Sequence, residues 1–148
     1  MVRSAKLVRH TTGKREAPVA FFREVVKIPP KGYKNLLMSV LTKTDGTVIA
    51  SRVEIASTPL KRMKGLLGRA SMSPDEGMLF RPAGSIHMFF MRIPLDVVFC
   101  DAELRVVKVV RDLQPWKTAG AKGAKVTIEL GVGGAASLEP GDQLVVRD

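Results

Sequence analysis

From residue 36 onward the chain alternates short apolar runs with polar punctuation. The stretch "LLMSVLTKTDGTVIASRVEIA" (36–56) holds two such runs around an Asp45-Gly46 pair. Asp-Gly between alternating segments is a strong hairpin signal, because both residues tolerate the positive φ that a tight turn needs. "STPLKRMKGLLGR" (57–69) then changes the period. Ser57 or Thr58 can cap, Pro59 suits a first helical turn, and Gly65 or Gly68 can end it. Leu60, Met63, Leu66 and Leu67 recur at helical spacing, which predicts one short helix near residues 59–67. Beyond a turn at "SPDEG", the segments "MLFR", "SIHMFFMR", "LDVVFCD", "RVVKVVRDL", "KVTIEL" and "DQLVVRD" read as strands. They are rich in β-branched and aromatic residues and bounded by Pro, Gly or Asp. "WKTAGAKGAK" reads as a loop, and "GVGGAASLEPGD" as a loop with one helical turn and a Pro-Gly-Asp turn. The expected fold is mainly β: a compact sandwich or barrel with one short helix.

Length and charge divide this picture in two. A chain of 148 residues suits one domain with a substantial core. Its formal net charge is +10, yet residues 1–34 alone hold nine Lys or Arg against two Glu. We therefore expect a basic leader over 1–35, flexible or peripheral, and a single β domain over 36–148. A start at Met38 would yield that domain alone. The leader suits nucleic acid or another acidic partner through charge. It lacks the apolar centre of a secretory signal, which favours the cytoplasm, although its Arg-rich, acid-poor composition also resembles a transit peptide. No run approaches the ~20 apolar residues of a membrane helix. The single cysteine, Cys100, excludes an internal disulfide and a Cys-rich zinc site, and no cofactor motif is expected.

Candidate chemistry gathers in "GSIHMFFMRIPLDVVFCD" (84–101). His87 and Asp96 stand in otherwise apolar surroundings. Strand alternation puts Ser85, His87, Phe89 and Met91 on one face, and Asp96, Val98 and Cys100 on one face of the next segment. A hairpin around "RIPL" would allow His87 and Asp96 to meet as base and orienting acid, the pairing of a hydrolase-like enzyme. The structural alternative is a core histidine and a buried Asp held by an arginine or by backbone amides. Arg62, Arg69 and Arg92 are the arginines at hand. Arg62 and Arg69 with His87 and Asp96 would make the floor of a polar pocket, suited to a carboxylate, phosphate or sugar hydroxyl. Cys100, in "VVFC", reads as structural rather than nucleophilic. Trp116 is a sugar-stacking platform or a cover folded over the core. The glycines of "GVGGAAS" lack the lysine and the strand–loop–helix setting of a phosphate loop.

The ordered series Ala56, Thr58, Arg62, "GLLGR", "EGMLF", "SIHMFFMRIPLDVVFCD" and "ELGVGGAASLEPGD" resembles the family called domain of unknown function 192, over roughly residues 39–146. The resemblance implies a compact, mostly β domain of jelly-roll type and no established activity. Many members have "FWMKNT" where this chain has "IHMFFMR", and members often carry a secretion signal or lipoprotein leader. The leading expectation is a non-enzymatic binding module for a polar small molecule or a cell-envelope component. The hydrolase using His87 and Asp96 and the basic leader that binds nucleic acid stand as alternatives.

Overall fold

The computed structural model describes residues 38–148, so the basic leader expected over 1–35 lies outside the described residues. The elements run β1 (Ser39–Lys43), β2 (Val48–Ile55), α1 (Pro59–Lys64), β3 (Glu76–Phe80), β4 (Ser85–His87), β5 (Leu95–Cys100), β6 (Val106–Leu113), β7 (Thr118–Gly120), β8 (Val126–Leu130) and β9 (Leu144–Arg147). Among the described residues the fold is mainly β with one short helix, as the pattern predicts. Seven strands form one sheet in the order β6-β5-β8-β3-β2-β1-β9, and β4 and β7 form a separate ribbon. Only β2 and β3 run parallel in the large sheet.

The Asp45-Gly46 hairpin joins β1 to β2, with Gly46 at φ 91° and Asp45 Oδ1 accepting from Thr47 N at 2.8 Å. Of the two candidate caps it is Thr58 that caps α1, accepting from Lys61 N at 3.2 Å. The helix stops at Lys64 rather than 67, because Gly65 takes φ 46° and leaves the helical path. Leu60 accordingly stays 69% exposed, while Leu66, just past the helix, is buried.

The large sheet curls. Its edge strands approach at an Arg105–Gln143 bridge, reinforced by backbone bonds from Leu144 N to Leu104 O and from Val106 N to Asp142 O. The result is barrel-like without closing. Inside the curl, Leu41, Val53, Leu79, Val98, Cys100, Ile128 and Leu130 pack together. The opposite face carries a second core of Met78, Phe80, Leu95, Val97 and Phe99, covered by Met88 and Met91. Every residue of β5 is therefore buried, which explains its near-continuous apolar run.

Asp96 is the exception in that run, and backbone amides resolve it. Its Oδ1 accepts from Asp112 N at 2.9 Å, and its Oδ2 accepts from Gly133 N and Ala135 N at 3.0 Å each. Opposite it, β6 carries a bulge between the Leu95–Leu113 and Val97–Val110 pairs, with Asp112 at φ 51°. The glycine-rich loop reaches Asp96 because it presses against Ser73 and Pro74. A Cβ at Gly131 would collide with the Ser73 carbonyl, and one at Gly134 with that of Pro74. The loop that superficially resembles a phosphate cradle turns its amides to the protein's own Asp96 side chain. Replacing Asp96 with Ala leaves three enclosed amides without an acceptor, at roughly 1–3 kcal/mol for each unsatisfied group. Chemical denaturation should show Asp96→Ala destabilised by about 3–5 kcal/mol, with Asp96→Asn intermediate. A loss within about 1 kcal/mol would contradict the clamp.

Candidate functional site

The second core does not seal. Between α1 and β4 it opens into a cleft of about 550 Å³. Leu66, Phe80, Ile86, Met88 and Met91 supply apolar wall, and Arg62, Lys64, Ser85 and His87 supply polar groups at the mouth. Glu129 also lines it. Strand alternation explains that placement. Val126, Ile128 and Leu130 of β8 point into the curl, so Thr127 and Glu129 point out. Thr127 is satisfied locally, donating to Ala83 O at 3.0 Å. Glu129 is flanked by Met78 across β3 and by Val97 across β5. Burial with no compensating charge pushes its carboxyl up to about 7. It thus sits in an apolar floor, poised to change charge near neutral pH.

The rim is set by different means. Arg62 leaves the last turn of α1 and is steadied by donation from Nη2 to Pro82 O at 2.8 Å. His87 ends β4, which pairs with β7 at Thr118. Its ring stacks on Phe89 at 5.0 Å between centroids and 21° between planes. His87 is exposed, not a core histidine.

The structure therefore brings together two of the four pocket residues expected from sequence, Arg62 and His87. Asp96 shares a face of β5 with Val98 and Cys100, away from the cleft, and its oxygens serve the amide clamp. The hairpin that would join His87 to Asp96 does not form, because β4 pairs with β7 while β5 pairs with β6 and β8. Arg69 lies 3.7 Å from Glu76 and does not line the cleft. Cys100 lies buried in the inner core with its thiol pushed up to about 12 by desolvation first and Asp101 second, as a structural cysteine should be. Among the described residues no group of three or more His, Cys, Asp or Glu side chains is placed to hold a metal.

The strand expected over "SIHMFFMR" ends at His87, and residues beyond it turn. Phe90 takes φ 64°, which breaks the face alternation after the histidine. The loop expected over "WKTAGAKGAK" contains β7. Glu129 was not singled out from sequence, although an acid between Ile128 and Leu130 carries the same signal as Asp96.

Charge is unevenly spread along the chain. The segments 60–69, 81–93 and 114–125 contain nine Lys or Arg and no Asp or Glu. The remaining described residues hold all twelve acids against six Lys or Arg. A mild overall charge thus conceals an uneven distribution along the chain.

The family model for domain of unknown function 192, described as uncharacterized ACR, matches residues 40–146, and the chain belongs to that family. A UPF0127 protein of Thermococcus sibiricus is 39% identical over 102 residues, covering 64% of each chain. The chain thus spans just under two thirds of that relative's length. A UPF0127 protein of Pyrococcus furiosus is 33% identical over 114 residues, covering 71% of this chain and 95% of the relative. A solved protein of unknown function from Novosphingobium aromaticivorans superposes with a TM-score of 0.62 at 30% identity, covering 73% of this chain and 83% of the other.

Glu129 yields a signed prediction. Its folded pKa lies above its unfolded value, so the native state binds the extra proton and stability falls as pH rises from about 4.5 through about 7. Glu129→Gln should therefore stabilise the protein at pH 8, by about 1–3 kcal/mol once partial exposure is allowed for, and should change little at pH 4. Denaturation curves at both pH values check this. Equal effects at the two would show that Glu129 is solvated.

Proposed function

We propose that this family member is a non-enzymatic binding module whose cleft takes a small anionic molecule with an apolar body. The observation that carries the reading is an apolar cleft whose mouth carries Arg62, Lys64 and His87, while its one acid, Glu129, is pushed toward its neutral form by burial. Its volume falls in the range of ligand pockets, roughly 300–1,000 Å³. A carboxylate or phosphate would meet the Arg62 guanidinium and His87, while an alkyl or aryl body would lie along Leu66, Phe80, Met88 and Met91. Protonated, Glu129 can donate a hydrogen bond to such a ligand; ionised, it would oppose it. Binding should therefore strengthen as pH falls through about 7.

A second, enzymatic reading draws on the same carboxyl. A carboxyl pushed up to about 7 in a cleft that a histidine also lines suits proton transfer, with Glu129 taking the role expected of Asp96. Turnover of a panel of small esters, abolished by Glu129→Gln, would favour it over simple binding.

Calorimetric titration with phenyl phosphate, benzoate and benzylamine tests the leading reading. The two anions should bind and the amine should not. Arg62→Ala and His87→Ala should each weaken anion binding roughly tenfold, about 1.4 kcal/mol, and Arg69→Ala should leave it unchanged. Binding of the amine as tightly as the anions, or indifference to both cleft substitutions, would overturn it.

A further inference from the structure

Outside the cleft lies a second feature that the binding reading does not use. The turn after β4 meets the turn before β7, and two large rings project where they cross. Phe90 is 72% exposed and Trp116 60% exposed. Trp116 thus does not cover the core, and the turn displays it instead. The rings pack edge to face, with centroids 5.0 Å apart and planes at 62°. Neither residue lines the cleft.

The backbone holds this display in place. Phe90 takes φ 64° and Trp116 φ 68°, a region that bulky side chains rarely occupy. Such conformations persist only where surrounding bonds impose them. Here Trp116 N donates to Met88 O at 2.9 Å, Met88 N to Lys117 O at 2.7 Å, and Met91 N to Met88 O at 3.2 Å. Met88 and Met91 are buried beneath, so the turn is pinned from below while its rings face outward. The fold thus commits strained backbone to keeping two apolar rings in water.

Cations flank the rings. Arg92 follows Phe90 and Met91, and Lys117 follows Trp116; both are exposed, and neither belongs to an ion pair among the described residues. Arg62, Lys64 and Arg81 on neighbouring segments are likewise exposed and outside those pairs.

We propose that the Phe90–Trp116 tip, with Arg92 and Lys117 beside it, docks this protein onto an anionic lipid surface. Trp and other aromatic rings favour the membrane–water interface, and basic residues near them gain from anionic headgroups. A bilayer interface is soft enough to receive an irregular tip while the cations reach lipid phosphates. Single-stranded nucleic acid fits less well. Base stacking needs open ring faces, whereas here the edge of one ring occupies the face of the other. Docking through the tip leaves the cleft mouth next to the lipid surface, since Phe89 of the same turn lines the cleft and lies 6.2 Å from the Trp116 ring.

Trp116 is the only tryptophan in the chain and reports on its own environment. The experiment follows its emission in the full chain mixed with phosphatidylcholine vesicles, with and without phosphatidylglycerol, and with a single-stranded oligonucleotide. With phosphatidylglycerol the emission should shift to the blue and be quenched by brominated lipid acyl chains, and added salt should weaken both effects. Phe90→Ala, and the pair Arg92→Ala with Lys117→Ala, should each reduce vesicle affinity roughly tenfold. All three side chains are exposed, so the variants should fold. Sedimentation with vesicles while Trp116 emission stays unchanged would mean that the basic leader alone binds, and would overturn the proposal. No vesicle binding, or a shift with the oligonucleotide and none with vesicles, would overturn it equally.

Discussion

The structure depends on burying β5, β8 and β3 from both sides. A sheet whose central strands are apolar on both faces needs two covers. The inner face obtains one by curling until β6 and β9 touch. Among the described residues the outer face has no second sheet, only the short ribbon of β4 and β7, the helix α1 and the loops that join them. These pieces are too few to seal it. The cleft is what remains open, and Glu129 is the acid that β8 alternation delivers into it.

Two carboxylates on adjacent central strands show how local backbone decides chemical character. Asp96 and Glu129 both interrupt apolar runs. Asp96 meets a bulge in β6 and a glycine loop that offer three amides, so both its oxygens are engaged and it acts as a clamp. Glu129 meets Met78 and Val97, with no donor to offset its desolvation, and its proton becomes hard to remove. One acid holds the loops to the sheet. The other gives the cleft a group whose charge depends on pH.

Much of the fold was legible in the sequence because its signals are local. The Asp45-Gly46 hairpin, the Thr58 cap and the apolar runs of β5 and β8 each rest on nearest-neighbour physics. Arg62, named from the motif, and His87, a polar group in an apolar stretch, do both line the cleft. The partnership of His87 with Asp96 was not, since it assumed that sequential strands pair. In fact β4 leaves the large sheet and pairs with β7, Ile86 facing Ala119 thirty-three residues further along the chain. The turn at Phe90 also escaped notice, because nothing in "HMFFMR" contains the Gly or Asn that normally marks positive φ. Glu129 required knowing which strands flank β8, and that information is topological.

The cleft is distinguished by an ionisable carboxyl held in an apolar floor under a basic rim. Carbon-13 NMR of the Glu129 side-chain carboxyl, followed from acid to mildly alkaline pH, measures this directly. A midpoint near 7 is expected. A midpoint close to the ordinary glutamate value of about 4.3 would mean that water reaches the carboxyl freely, and the cleft would lose the feature that distinguishes it from a surface groove.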